Sequence, residues 1–166
     1  MNQRTYGFLL AFFATVFAGS AALLLWYGVK SHRQAAVYGQ LAVAVQRADP
    51  TPAEAGKETP LSEYRALSED NPDMVGWIRI DGTDTDYPVV QRANEPNYYL
   101  KHDFAGSYTD FGCPFAQANC DVQAPSDNVI LYGHNMKDGS MFSDLVRYQS
   151  RSFWKTHRTI HFDPPW

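Results

Sequence analysis

From Thr5 to Val29 the chain runs for 25 residues, TYGFLLAFFATVFAGSAALLLWYGV, without a charged side chain. A helix rising about 1.5 Å per residue over that stretch crosses a hydrocarbon core of about 30 Å, and a helix satisfies its own backbone there. Residues 6–29 are therefore expected to be a transmembrane anchor. A cleaved signal peptide is the competing reading, because Arg4 supplies a small basic start and Ala18-Gly19-Ser20-Ala21 supplies small residues. Against it, the apolar run continues through Leu23, Leu24, Leu25 and Trp26, beyond the length of a signal h-region. Trp26 and Tyr27 fall where an interfacial aromatic belt lies, whereas Arg4 on one side and Lys30 with Arg33 on the other barely discriminate the orientation.

Once the anchor is subtracted, 166 residues leave room for one further domain. The net charge of −4, with no basic stripe to track phosphates, argues against nucleic acid as a partner. Cys113 and Cys120 are too few for a disulfide scaffold and lack the paired spacing of a zinc site. They form either one small-loop disulfide or two free thiols.

Residues 30–60 separate anchor from domain. Ser31 to Ala48 has Ala36, Val37, Leu41, Ala44 and Val45 near helical spacing, which predicts a juxtamembrane helix. Asp49 to Pro60 then brings three prolines and no large apolar residue, the composition of a spacer. From residue 61 the pattern becomes that of a folded domain. Leu61, Tyr64 and Leu67, three apart and stopped by Asn71-Pro72, predict a short helix. Strands are expected over Val75–Ile80 with a turn at Asp81-Gly82, then Tyr87–Gln91, Gly112–Gln117 and Thr159–Phe162. The continuous apolar run Val129–Tyr132 predicts a strand buried on both faces. Ser140 or Asp138 is placed to cap a helix containing Met141, Phe142, Leu145, Val146 and Tyr148. Four or five short strands with short helices suggest a β-barrel or a β-rich α+β domain. So few strands are hard to close into a barrel, so residues 61–166 read as the N-terminal portion of one.

His134 stands at the end of the Val129–Tyr132 run, ahead of a polar Lys-Asp-Gly turn. An imidazole there suits acid–base work or pairing with a thiolate; the plainer alternative is a histidine hydrogen-bonded within its turn. Cys113, between Gly112 and Pro114, is the first nucleophile to consider, against the alternative of a small buried hydrophobe. Cys120 reads as a loop residue. His157 and His161 have a helical metal-ligand spacing, but the β-branched Thr159 and Ile160 predict a strand that would hold the two rings about 13 Å apart. His102 reads as an exposed loop residue. Tyr87, Tyr98, Tyr99, Phe104, Tyr108, Phe111 and Phe115 are expected mostly in the core, with a peptide groove as the alternative.

The run from Asn71 to Thr83 (NPDMVGWIRIDGT), then Asp86-Tyr-Pro-Val-Val-Gln, Asn97-Tyr-Tyr-Leu and above all Asn128 to Phe142 (NVILYGHNMKDGSMF) resemble the class B sortases over roughly residues 61–163. The resemblance implies a mainly β, sortase-like barrel with short helices behind one transmembrane helix. It also implies a cysteine transpeptidase of the hydrolase class on the outer face of a Gram-positive-type envelope, with residues 1–5 cytoplasmic. In that family a thiolate attacks an Asn-Pro-x-Thr-like sorting signal of a secreted surface protein to give a thioester acyl-enzyme. An amine on a cell-wall precursor or pilin subunit then resolves it. No cofactor is implied.

By the same resemblance His134 matches the family's catalytic histidine, Tyr132 a groove-lining tyrosine and Leu100 an apolar groove residue. Where the family often has a substrate-contacting asparagine, this chain has Pro96 with Asn94 and Asn97 nearby. The family's nucleophile lies in a Thr-Leu-x-Thr-Cys strand downstream of the histidine, with an arginine after it, and neither occurs between His134 and Trp166. The expectation is an N-terminal part of a class B sortase, inactive as it stands. The alternative is a non-catalytic, membrane-tethered extracellular binding or scaffold domain.

Overall fold

The computed structural model describes residues 2–46, 62–124 and 128–165, so the predicted spacer over 49–60 lies outside the described residues. The chain divides into two compact units, Met1–Val37 and Tyr38–Trp166. The first is the apolar length of helix α1 (Gln3–Gln46), whose most apolar window is fully exposed and fits a membrane anchor. The anchor and the stretch after it are one continuous helix rather than two.

The second unit begins with the last turns of α1. Tyr38 is buried there, its hydroxyl donating to the Gly112 carbonyl at 2.7 Å and its ring meeting Tyr87 edge-on at 5.4 Å. Gly112 takes φ +63, and a Cβ on it would stand 2.5 Å from the Tyr99 carbonyl oxygen, so only glycine brings these two chain segments together.

Helix α2 (Ser62–Asp70) buries Tyr64 and Leu67, two of the three positions its threefold spacing singles out, the third, Leu61, lying outside the described residues; Tyr64 tilts over Trp77 at 6.0 Å. It stops where Asn71 turns its side chain to other work, accepting from the Asp73 amide at 3.0 Å and donating to the Phe104 carbonyl at 2.7 Å.

Five strands follow among the described residues: β1 (Met74–Arg79), β2 (Asp86–Val90), β3 (Phe115–Ala116), β4 (Leu131–Tyr132) and β5 (His161–Asp163). They form one sheet in the order β4-β3-β2-β1-β5. The β1–β2 hairpin runs in register from Gly76↔Val89 to Arg79↔Asp86 with an irregularity between Met74 and Gly76, and β5 pairs antiparallel with β1 on its outer side. The β2–β3 pairing is parallel and the β3–β4 pairing antiparallel, which gives the sheet its mixed, half-barrel character. Trp77, Ile80, Val89, Val90, Phe111 and Met141 are almost wholly buried and make the centre of the core.

Two expectations need correction. Val129–Tyr132 is not buried on both faces: only Leu131 and Tyr132 pair, at the edge of the sheet, and Tyr132 is 45% exposed. An apolar run reports burial propensity but not place in the sheet, and an edge strand has one open side. The segment Phe142–Gln149 is a 3-10 helix, with neither Ser140 nor Asp138 as its cap, before the short helix α3 (Arg151–Thr156). The Asp138 carboxylate instead accepts from the amide and hydroxyl of Ser140 at 3.1 and 2.7 Å, closing the turn before the helix.

Burial pushes the phenols of Tyr87 and Tyr99 up from 10.0 to about 12. Between those values the folded chain keeps both protons while the unfolded chain releases them. The contribution is therefore fully present below about pH 10 and is lost as pH rises toward about 12. Denaturant midpoints are expected to fall between about pH 9 and about pH 11.5; a flat profile there would contradict the burial of these two rings.

Candidate active site

The edge strand β4 delivers Tyr132, Gly133 and His134 to one end of the sheet. Gly133 is required by a close approach: a Cβ on it would lie 2.5 Å from the Phe142 ring. The segment beyond His134 doubles back, so that the Phe142 amide donates to the His134 carbonyl at 2.9 Å and Asn135 bridges Met141. Met141 holds φ 57, a conformation that costs a non-glycine residue about 1–3 kcal/mol. Its full burial and the bond from its amide to the Tyr87 hydroxyl at 3.1 Å hold it there. A rigid corner thus fixes the backbone of His134.

The imidazole is fixed separately. Nε2 of His134 lies 2.8 Å from the carbonyl oxygen of Leu100, at the end of the 3-10 turn Tyr98–Leu100. A carbonyl only accepts, so Nε2 carries the proton and Nδ1 is the acceptor of the neutral ring.

Beside it lies a cavity of about 480 Å³ whose lining includes Pro96, Asn97, Leu100, Phe115, Gln117 and Tyr132. Leu100 and Tyr132 are half-exposed there, Tyr132 stacking on Phe115 at 5.4 Å and donating from its hydroxyl to Gln117 Oε1 at 3.2 Å. The structure therefore brings together His134, Tyr132 and Leu100, from segments 32 and more residues apart in sequence. Pro96 and Asn97 line the groove and Asn94 does not. Gln117 and the Leu100 carbonyl were invisible in the sequence, because neither lies in a recognisable local pattern and both act across strands.

The other expected residues sit elsewhere. Cys113 is 3% exposed, its thiol 3.7 Å from the Pro88 carbonyl, and burial pushes its pKa far above the usual thiol range. A thiol held protonated in the core is not the nucleophile for His134. Cys120 donates to the Gln117 carbonyl at 3.0 Å beside a separate cavity, and both cysteines are free, so they form no disulfide. Iodoacetamide at neutral pH is expected to alkylate Cys120 well before Cys113, read by peptide mass; equal labelling would sink this placement.

His102 is no exposed loop residue: its ring stacks on Tyr98 at 3.9 Å. His157 follows α3, stacked on Phe153 at 3.9 Å, while His161 belongs to β5 with Nε2 3.4 Å from Asp81. The strand expected over Thr159–Phe162 runs from His161 to Asp163 instead, and His157 is the C-terminal cap of α3. Among the described residues no three His, Cys, Asp or Glu side chains stand together as a metal site. Of the aromatic residues, Tyr87, Tyr99, Phe104, Phe111 and Phe115 are buried, Tyr98 is half-buried and Tyr108 is exposed.

The mixed sheet, with His134 and the groove beside β4, has a sortase-like fold. No family model matches the chain. Over 101 residues it is 40% identical to sortase B of Listeria monocytogenes and 36% identical to sortase B of Staphylococcus aureus, each match covering 61% of this chain and 41% of the relative. A solved structure described as a Staphylococcus aureus sortase B–substrate complex matches with a TM-score of 0.73 at 30% identity, over 82% of this chain and 61% of that one. Both curated relatives and the solved structure are class B sortases, and the likeness to the solved structure shows that the described domain has that fold. It spans 41% of the length of these curated relatives.

Proposed function

We propose that the protein carrying these residues is a cysteine transpeptidase with His134 as its acid–base residue and the groove at Leu100 and Tyr132 as its substrate cleft. The observation that supports this most is the meeting of His134 with the Leu100 carbonyl beside Tyr132, on a sheet of the class B sortase fold. An Asn-Pro-x-Thr-like sorting signal lies in the groove, and a thiolate attacks its threonine carbonyl carbon. The C–N bond to the following residue breaks, protonated His134 gives its proton to the departing amine, and a thioester remains. The amine of a cell-wall precursor or pilin subunit then gives a proton to His134 and displaces the thiolate, forming the new amide.

Neither Cys113, buried and protonated, nor Cys120, beside a different cavity, is placed to supply that thiolate, so these 166 residues by themselves are expected to be inactive. Residues 6–29 span the membrane once, residues 1–5 are cytoplasmic and the domain faces outward, where sorting signals emerge.

A membrane-embedded protein that carries these residues together with such a thiolate, given a quenched Asn-Pro-x-Thr peptide and a primary amine, is expected to cleave the peptide and transfer its acyl part to the amine. Alkylation of thiols abolishes both, and replacing Cys113 and Cys120 together by alanine abolishes neither. A folded protein that does neither reaction would be the tethered binding domain instead.

A further inference from the structure

The carbonyl that holds His134 sits on a turn of three residues, Tyr98–Leu100. Turns of this kind have poor hydrogen-bond geometry and are weak by themselves. Leu100, at 40% exposure, does not anchor it. The anchoring falls to its two neighbours. Tyr99 is buried, and its hydroxyl donates to Asp73 Oδ2 at 2.8 Å and accepts from Asn71 Nδ2 at 3.1 Å. Tyr98 carries two flat groups: the Arg92 guanidinium 3.8 Å from its ring centroid and the His102 ring 3.9 Å away at an interplanar angle of 5°. Two planar groups that close to one centroid occupy opposite faces, so Tyr98 is the middle layer of a stack.

Both ends of the stack are tied down. Arg92 donates to Asp73 Oδ2 from Nε at 2.7 Å and from a terminal nitrogen at 2.6 Å, so one carboxylate oxygen holds Arg92 and Tyr99 together. On the other face His102 Nδ1 lies 2.8 Å from the Tyr98 carbonyl, a bond in which the imidazole must be the donor. Arg92, Tyr98, His102 and Asp73 are absent from the groove lining, so they reach the substrate only through Leu100 and His134.

We propose that Arg92, Tyr98 and His102, tied to Asp73, are positioning residues for His134. Their stack holds the Leu100 carbonyl in place and so keeps the neutral ring's proton on Nε2, leaving Nδ1 as the nitrogen that exchanges a proton in the reaction. The catalytic meaning of this clamp rests on the acid–base role proposed for His134; the clamp itself does not. A neutral imidazole without a fixed acceptor exchanges between its two tautomers, and each tautomer offers the substrate a different nitrogen.

Ring-nitrogen spectroscopy of the whole ¹⁵N-labelled chain in lipid nanodiscs, above the titration of histidine, tests the proposal. His134→Gln identifies the His134 signals. In the parent chain they are expected to show a protonated-type Nε2 and an unprotonated-type Nδ1. Tyr98→Leu moves both toward the averaged positions of a ring exchanging between tautomers, whereas Tyr98→Phe, which keeps a flat ring between Arg92 and His102, leaves them unchanged. The amides of Val89 and Val90 report whether the core is intact. If Tyr98→Leu disturbs them, Arg92→Gln at the rim of the stack is read instead, with the same averaging expected. Unshifted His134 nitrogens in the variant so read overturn the clamp, as does averaging in the parent or in Tyr98→Phe. Nitrogens that respond as expected, in a protein that carries the thiolate and whose kcat is unchanged by His134→Gln, support the clamp and sink only the acid–base role.

Discussion

In a protein that joins these residues to the proposed thiolate, replacing His134 with glutamine is expected to lower the proposed transpeptidation by about 10²- to 10⁴-fold, the usual contribution of a positioned acid–base group. Glutamine can still donate to the Leu100 carbonyl, which accepts from His134 Nε2 at 2.8 Å in the parent chain, so the loop keeps its anchor. What glutamine cannot do is give up and regain a proton near neutral pH. The loss should therefore appear in kcat, with KM nearly preserved, because Leu100 and Tyr132 still line the groove. Stability should change by no more than about 1 kcal/mol, the net worth of one ordinary hydrogen bond. Steady-state cleavage of a sorting-signal peptide and a denaturant midpoint measure the two quantities. An undiminished kcat would remove His134 from the chemistry, and an unfolded variant would make it a structural residue.

The largest loss of stability is expected from Trp77→Ala, at about 3–5 kcal/mol. Trp77 is 1% exposed on β1, where it pairs with Pro88 on one side and Asp163 on the other. Alanine removes a large buried ring that neighbouring strands cannot collapse to replace, and also removes the indole donor to Asp86 Oδ1 at 2.6 Å. Trp77→Phe largely separates the two effects, since it keeps most of the buried area but loses the donor and the five-membered ring, at about 1–2 kcal/mol. Denaturant midpoints of the parent and both variants in one detergent, followed by near-ultraviolet circular dichroism, check the order. Equal losses in the two variants would mean that the Asp86 bond, and not the packing, dominates.

The helix, the β1–β2 hairpin and the position of His134 were legible because each depends on residues close together in sequence. Tyr64 and Leu67 lie one helical turn apart and both are buried. Gly82 takes φ +76 in the turn where Asp81-Gly82 predicted it. Long-range choices were not legible. The run Val129–Tyr132 is as apolar as a central strand, yet among the described residues β4 pairs only with β3, and Tyr132 lines a groove instead of filling a core. Cys113 and Cys120 have the same side chain, and only packing makes the first a protonated core residue. Leu100 was singled out for its apolar side chain, while its carbonyl makes the contact to His134.

By itself, then, the sequence determined an uncharged helix long enough for a membrane, a hairpin with its turn, and a histidine at a strand end followed by a polar loop, because periodicity and turn chemistry act within about ten residues. The tertiary structure alone decided which strand became the edge, which cysteine was buried, and which carbonyl met the imidazole. Those outcomes depend on contacts between segments 15 to 34 residues apart, as in the bonds from Tyr132 to Gln117 and from His134 to Leu100, and no local pattern of side chains encodes such a meeting.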